Sequence, residues 1–277
     1  MPGTLHVVAT PIGNLEDITR RAAQVLAEVG TIAAEDTRRT GILLKHLGVS
    51  GANLTALHDH NEAAAAERLI ARLKDGEDVA LVSDAGAPLI ADPGFRLIQR
   101  CWSERVSVVP VPGASALTAL LSVCPIPAGQ PRFVGFLPAK PQARQAALEE
   151  ACRRSSATLF LEAPHRLLET LRAIAALAPE RPLFIGREMT KKFESYYCGC
   201  AGDLAAELAA GDALRGEFTL LIGSFDAGPN PQAVDKERLA AALAEELPPA
   251  KVARLMTRLF GGARAAHYAQ AVADPSR

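Results

Sequence analysis

No uncharged stretch of this 277-residue chain reads as a bilayer-spanning helix, because the longest, residues 106–131, is broken by Pro110, Pro112, Pro125, Pro127 and Pro131. Met1-Pro2-Gly3-Thr4 runs straight into a short apolar segment with no basic lead, so no secretory signal is expected. An excess of one charge is also missing. The net charge is −1, so no global positive field draws the chain onto nucleic acid, and any such contact must come from a local patch. The five cysteines are odd in number, and only Cys198 and Cys200 stand close, as C-G-C rather than C-x-x-C. That pattern supports neither a disulfide framework nor a zinc site and fits a reducing compartment, so a cytoplasmic location is expected. Six scattered histidines show no metal-ligand spacing, so no metal is expected. No Ser/His/Asp or Cys/His arrangement can be assembled from the spacings. The fingerprint G-x-G-x-x-G is absent from the first loop, which disfavours a nucleotide-binding oxidoreductase.

What is present is the composition of a folded globular protein, with 49% apolar and 22% charged residues. The length favours two domains, or two and a small module. Short β-branched apolar runs at residues 5–9, 31–34, 53–57, 79–82 and 106–111 read as buried strands. Helix-period segments at 17–28, 37–47, 61–74, 92–101 and 113–123 alternate with them. That alternation predicts a mostly parallel, doubly wound sheet. Cys124-Pro125-Ile126-Pro127 breaks the pattern, because proline continues neither a helix nor a central strand. Domains are therefore expected over 1–123 and 124–226. The second set of strands falls at 132–137, 157–161, 183–187, 195–200 and 218–222, with helices at 142–153, 165–177 and 203–208. No helix separates the strands near Arg187 and Ser195, so this second sheet is expected to be mixed. Ala227-Gly228-Pro229-Asn230-Pro231 reads as a linker. A helical module over 232–277 follows, with helices at 235–246, 249–260 and 264–271.

In open α/β sheets ligands bind beyond the carboxyl ends of the strands, and here those ends carry unusual loops. They are ATPIGNL (residues 9–15), AEDTRRT (34–40), SDAGAPLIADPG (83–94) and VPGASA (111–116). Glycine and small residues there let backbone approach a flat ligand closely. The plainer alternative for each loop is local: Asp84 and Asp92 capping helices, and Gly86 serving a turn. The second half adds FLEAPHR (160–166) and GREMTKKFE (186–194), where His165 reads as a helix-start residue and the charges could form a solvated turn.

Taken in order, these stretches resemble the tetrapyrrole methylase superfamily. More narrowly they resemble its ribosomal branch, the small-subunit (16S) rRNA 2′-O-ribose cytidine methyltransferases. The resemblance runs through VATPIGNLEDIT (8–19), AEDTR (34–38), SDAGAPLIADPG, VPGASA, FLEAPHR, GREMTKKFE and GEFTLLIG (216–223), and more loosely through a helical tail over 247–271. Gly261-Gly262 stand in that tail where a more basic loop is expected. The resemblance implies a homodimer, each chain having two α/β domains with S-adenosylmethionine bound in the cleft between them. It places Pro11, Gly13, Ser83, Asp84, Ala85, Gly86, Ala87, Ser115, Ala116, Leu161 and Glu162 at the cofactor. It implies 16S rRNA or the small ribosomal subunit as partner, and in-line transfer requiring neither a metal nor a covalent enzyme intermediate. For that implied transfer Glu188 and Lys191 are the candidate general bases, and Arg38, Arg166, Arg187 and Lys192 are suited to gripping the RNA phosphates. Two rivals stay open on the residues alone: a methyltransferase acting on a tetrapyrrole, and a catalytically silent RNA-binding assembly factor of the same fold.

Overall fold

The three central strands of the first sheet are short and pack against helices on both faces. A computed structural model of the chain describes residues 1–211, 214–224 and 236–272. Strands β1 (Thr4–Val8), β2 (Thr31–Ala34), β3 (Asn53–Ala56), β4 (Val79–Val82) and β5 (Ser107–Val111) pair in the order β3-β2-β4-β1-β5. All four pairings are parallel. Successive side chains leave opposite faces of a strand, and β4 shows the consequence. Val79 and Leu81 pack with Leu69, Leu73, Leu97 and Cys101 from α3 (Glu62–Lys74) and α4 (Phe95–Ser103). Ala80 and Val82 pack on the other side with Leu26, Leu43 and Leu44 from α1 (Arg20–Glu28) and α2 (Thr37–His46). The sheet is doubly wound, as expected.

Three helix starts fall three residues later than the sequence expectation, each for a local reason. Thr19 accepts a hydrogen bond from the Ala22 amide at 3.1 Å, so the segment expected as one helix splits into a 3-10 turn at Leu15–Asp17 and α1. Helix α4 begins at Phe95 rather than 92, because Gly94 before it sits at φ 123°. Helix α5 (Ala116–Ser122) begins three residues after 113, because Ser115 is extended.

The second sheet comprises β6 (Arg132–Phe136), β7 (Thr158–Glu162), β8 (Pro182–Arg187), β9 (Ser195–Cys200) and β10 (Phe218–Ile222), in the order β6-β7-β10-β8-β9. Its β6–β7 pair is parallel and its other pairs are antiparallel, the mixed arrangement expected. Helices α6 (Pro141–Arg153), α7 (Leu167–Leu177) and α8 (Ala201–Ala210) cover one face, burying Phe160, Leu183, Ile185 and Leu220. On the other face Leu159, Phe184 and Leu221 meet Ile12, Leu120 of α5 and Met189. This seam joins the second sheet to the β1 loop and α5. Both sheets lie in one compact unit, Met1–Phe225, and Asp226–Arg277 forms a second. In that second unit Ala240 and Ala244 of α9 (Lys236–Glu246) pack with Val252 and Met256 of α10 (Pro249–Phe260), α11 (Arg264–Val272) contacts both helices, and Lys251, Arg254, Arg258 and Arg264 are exposed. The linker expected at 227–231 lies outside the described residues.

Arg181 ties the second sheet together. It is 5% exposed, and its guanidinium donates to the carbonyls of Gly223 (2.8 Å), Cys152 (2.8 Å), Ala151 (3.2 Å) and Ser156 (3.0 Å). These acceptors lie in the last turn of α6, just before β7 and just after β10. Arg181→Ala strands several buried carbonyls, and it should lower stability by about 3 kcal/mol. A urea midpoint unchanged from wild type would contradict this reading.

Candidate functional site

Two backbone hydrogen bonds organise the carboxyl edge of the first sheet. Thr10 N donates to Gly86 O at 2.9 Å and Gly86 N donates to Thr10 O at 3.1 Å, joining the loops after β1 and β4. Hydroxyls reinforce the join: Thr10 Oγ1 donates to Ser83 O at 3.1 Å and Ser83 Oγ to Gly86 O at 3.2 Å. The turn needs φ 82° at Gly86, a region glycine enters without a steric cost. Asp84 does not cap a helix. Its Oδ1 accepts from the Asp36 amide at 2.9 Å and its Oδ2 lies 3.5 Å from Arg39 Nε. Asp92 caps none either, since Gly94 precedes α4.

Beside this join lies a cavity of about 420 Å³. One wall is Asp84–Ala87 and Ser115–Leu117, and the facing wall is Leu161–Pro164, Met189 and Gly216–Thr219 of the second sheet. Eight residues expected at the cofactor line it: Asp84, Ala85, Gly86, Ala87, Ser115, Ala116, Leu161 and Glu162. The other three, Pro11, Gly13 and Ser83, line a second cavity of about 340 Å³. The two cavities share Ile12, Arg39, Asp84, Ala85 and Glu217. Lys191 stands in the second, its Nζ 2.9 Å from Glu188 Oε1 and 3.1 Å from Glu217 Oε2. Two glycines make this contact possible. A Cβ on Gly13 would lie 2.4 Å from Lys191 Cγ, and one on Gly216 would lie 2.5 Å from Glu188 Cδ. Glu188 and Thr190 adopt φ 48° and 66°, left-handed conformations that cost about 1–3 kcal/mol each and that cluster at functional sites.

A chain with this site and this pair of sheets has relatives. Residues 4–205 match the family described as Tetrapyrrole (Corrin/Porphyrin) Methylases. The chain belongs to the tetrapyrrole methylase family. It is 44% identical to "Ribosomal RNA small subunit methyltransferase I" of Xylella fastidiosa, over 96% of this chain and 98% of that one. It is 43% identical to the protein of that name from Escherichia coli O157:H7, over 98% and 95%. Among solved structures it resembles the methyltransferase CobJ (TM-score 0.60, 18% identity, 80% of this chain and 94% of that one). It also resembles a uroporphyrin III C-methyltransferase of Thermus thermophilus (TM-score 0.57, 16% identity, 79% and 97%). At those identities the structures show the fold.

As a member of this family the chain is a methyltransferase whose methyl donor is S-adenosylmethionine. The residues fit that molecule. Small side chains at Ala85, Gly86, Ala87, Ser115 and Ala116 leave backbone open to it, and a Cβ on Gly86 would stand 3.4 Å from Ile12 Cγ2. Three carboxylates, Glu35, Asp84 and Asp92, complement its positive charges. Burial and then the Asp84 charge push the Glu35 carboxyl up. Burial, followed by the Glu35 and Asp84 charges, pushes Asp92 up to about 6. Glu162 contributes its wall position rather than its charge. Its buried carboxylate accepts from Arg166 Nε (2.7 Å) and Thr170 Oγ1 (2.7 Å).

The four residues expected to grip phosphates line neither cavity. Arg166 is held by Glu162, and Arg187 Nε donates to Arg215 O at 2.9 Å. Arg38 is exposed and forks onto Asp36, while Lys192 is exposed with its Nζ 5.6 Å from the Phe193 ring centroid. The residues that sequence reasoning missed are Glu35, Arg39, Asp92 and Glu217. All four stand inside stretches singled out for other members, so the loops carried the signal but the choice within each loop did not.

Gly86→Val should weaken S-adenosylmethionine binding by at least tenfold in calorimetry without unfolding the protein, and an unchanged affinity would move the cofactor elsewhere. A cationic ligand favours the ionised form of Asp92, so its affinity should rise as pH increases through about 6. Asp92→Asn should flatten that rise, and a pH profile for this variant that matches wild type would contradict the assignment.

Proposed function

We propose that the chain transfers a methyl group from S-adenosylmethionine to the ribose 2′-oxygen of a cytidine in small-subunit (16S) rRNA. The observation that carries this reading is the extent of the ribosomal relatives. They match at 43–44% identity over 96–98% of this chain, whereas the tetrapyrrole enzymes of like fold leave about a fifth of it unmatched. The cofactor cavity, complete at both walls, favours an enzyme over a silent assembly factor. The proposed setting is the cytoplasm, as a homodimer. Among the described residues no helix is long and apolar enough to cross a membrane.

The bound cofactor would supply an electrophilic methyl on a sulfonium. The chain's own residues then have three tasks. Asp84–Ala87, Ser115, Ala116 and Leu161 hold the donor in the larger cavity. The acceptor oxygen must be brought within ~3–3.5 Å of the methyl carbon, and the second cavity, opening beside the first, suits that purpose. Lys191 acts there as a cation. Burial pulls its ammonium down, but hydrogen bonds and charge from Glu188 and Glu217 more than offset this and hold it above its ordinary value. Burial likewise raises the Glu188 carboxyl, and the Lys191 and Glu217 hydrogen bonds outweigh that and hold it low. Glu188 is therefore the ammonium's fixed counterion. Arg38 and Lys192, being exposed, are the proposed contacts to RNA phosphates, with Lys251, Arg254, Arg258 and Arg264 in the helical unit.

Purified enzyme incubated with labelled cofactor and small-subunit rRNA should yield 2′-O-methylcytidine on digestion and mass spectrometry. A base methyl, or no RNA methyl, would sink the proposal. Lys191→Ala should lower kcat at least tenfold and leave cofactor affinity within about twofold. Truncation after Ala227 should spare cofactor binding, weaken RNA binding and reduce its salt dependence, because phosphate contacts are lost. A truncated enzyme with full activity on its RNA would assign the helical unit another role.

A further inference from the structure

We infer that Glu217 is the residue that faces the acceptor hydroxyl and takes its proton. The inference rests on the proposed ribose acceptor. Lys191 holds its proton too firmly to serve as a base. Of the two carboxylates beside that ammonium, Glu188 is locked. Its side chain is 17% exposed and its Oε1 accepts from both Lys191 Nζ and the Glu217 amide, each at 2.9 Å. Gly216 closes over it, with room for no side chain of its own. Glu188 also lines neither cavity. Glu217 differs on each count. Its side chain is 68% exposed, its contact to Lys191 at 3.1 Å duplicates one that Glu188 already makes, and it lines both cavities.

One ammonium shared by a fixed carboxylate and a more exposed one gives a division of labour. Glu188 keeps Lys191 in place while Glu217 turns toward a hydroxyl seated where the cavities meet. The charged groups that line these cavities with Glu217 are Arg39 and Asp84 in both, Lys191 in the second, and Glu35, Asp92 and Glu162 in the first. A carboxylate this open to water can accept a proton and pass it on. As the oxygen–methyl bond forms and the carbon–sulfur bond breaks, the bonding pair stays on sulfur and neutralises it. The hydroxyl proton passes to a Glu217 oxygen and from there to solvent.

The test uses the full-length enzyme. Glu217→Gln should lower kcat by roughly 10²-fold, the usual contribution of a positioned base, with cofactor affinity within about twofold. The residual rate should rise with hydroxide at alkaline pH where the wild-type rate is flat, a behaviour a packing role does not produce. A binding arm reads the same contact without turnover. Wild type should bind RNA with a 2′-hydroxyl at the methylated cytidine several-fold more tightly than RNA 2′-deoxy there, and Glu217→Ala should abolish the preference. Three results would each overturn the inference: a Glu217→Gln enzyme within about threefold of wild type, a flat residual profile, or a hydroxyl preference that survives Glu217→Ala. Wild-type transfer to ribose with unaffected variants overturns this inference alone. Wild type that methylates no ribose overturns the substrate reading and this inference with it.

Discussion

The paired hydrogen bonds between Thr10 and Gly86 are the constraint on which the site depends. Parallel strands β1 and β4 are neighbours, and their loops would diverge into solvent without a cross-link. The bridge folds both loops across the sheet edge, with the Thr10 hydroxyl donating to the buried Ser83 carbonyl and the Ser83 hydroxyl adding a second bond to Gly86 O. Once Gly86 is fixed, Asp84 reaches the Asp36 amide and Arg39, so the loop after β2 is drawn into the same surface. The cofactor wall is thus mostly backbone geometry, and side chains enter as small residues or as carboxylates.

The second sheet completes the site through a different device. The face that its own helices leave uncovered packs on α5 and Ile12, which brings the ends of β7, β8 and β10 opposite the first wall. The strained turn at Glu188–Thr190 then places Lys191 over Gly13. A further hydrogen bond, from the Asn14 amide to Thr190 Oγ1 at 3.1 Å, locks the loop after β1 to that turn. Positive φ at two residues that are not glycine is the cost of aiming one ammonium into the second cavity. The two cavities therefore differ in kind: one apolar and carboxylate-rimmed, the other crossed by an ion network.

Much of this was legible in the chain. Apolar runs bounded by turn signals marked the strands of the first sheet, because the central strands of a parallel sheet are buried on both faces. The missing helix between Arg187 and Ser195 foretold the antiparallel β8–β9 pair. Helix starts were less legible, since Thr19, Gly94 and Ser115 act through single hydrogen bonds or dihedrals that periodicity does not register. The cofactor loops could be named because small residues at strand ends are local signals. Arg39 and Glu217 could not, because their importance lies in lining two cavities at once, which only the assembled sheets bring about. Arg166 shows the converse: a free cation in sequence, it is held in space by a glutamate four residues earlier.

The central claim is that one methyl-donor site is built jointly from the carboxyl edge of the first sheet and the edge of the second where β7 ends and β10 begins. Amide hydrogen exchange with and without S-adenosylmethionine tests it directly. Binding should slow exchange together at Ala85–Ala87, at Ala116 and Leu117, and across the facing wall at Leu161–Ala163 and Glu217–Thr219. Protection confined to one sheet, or appearing away from both walls, would contradict the account.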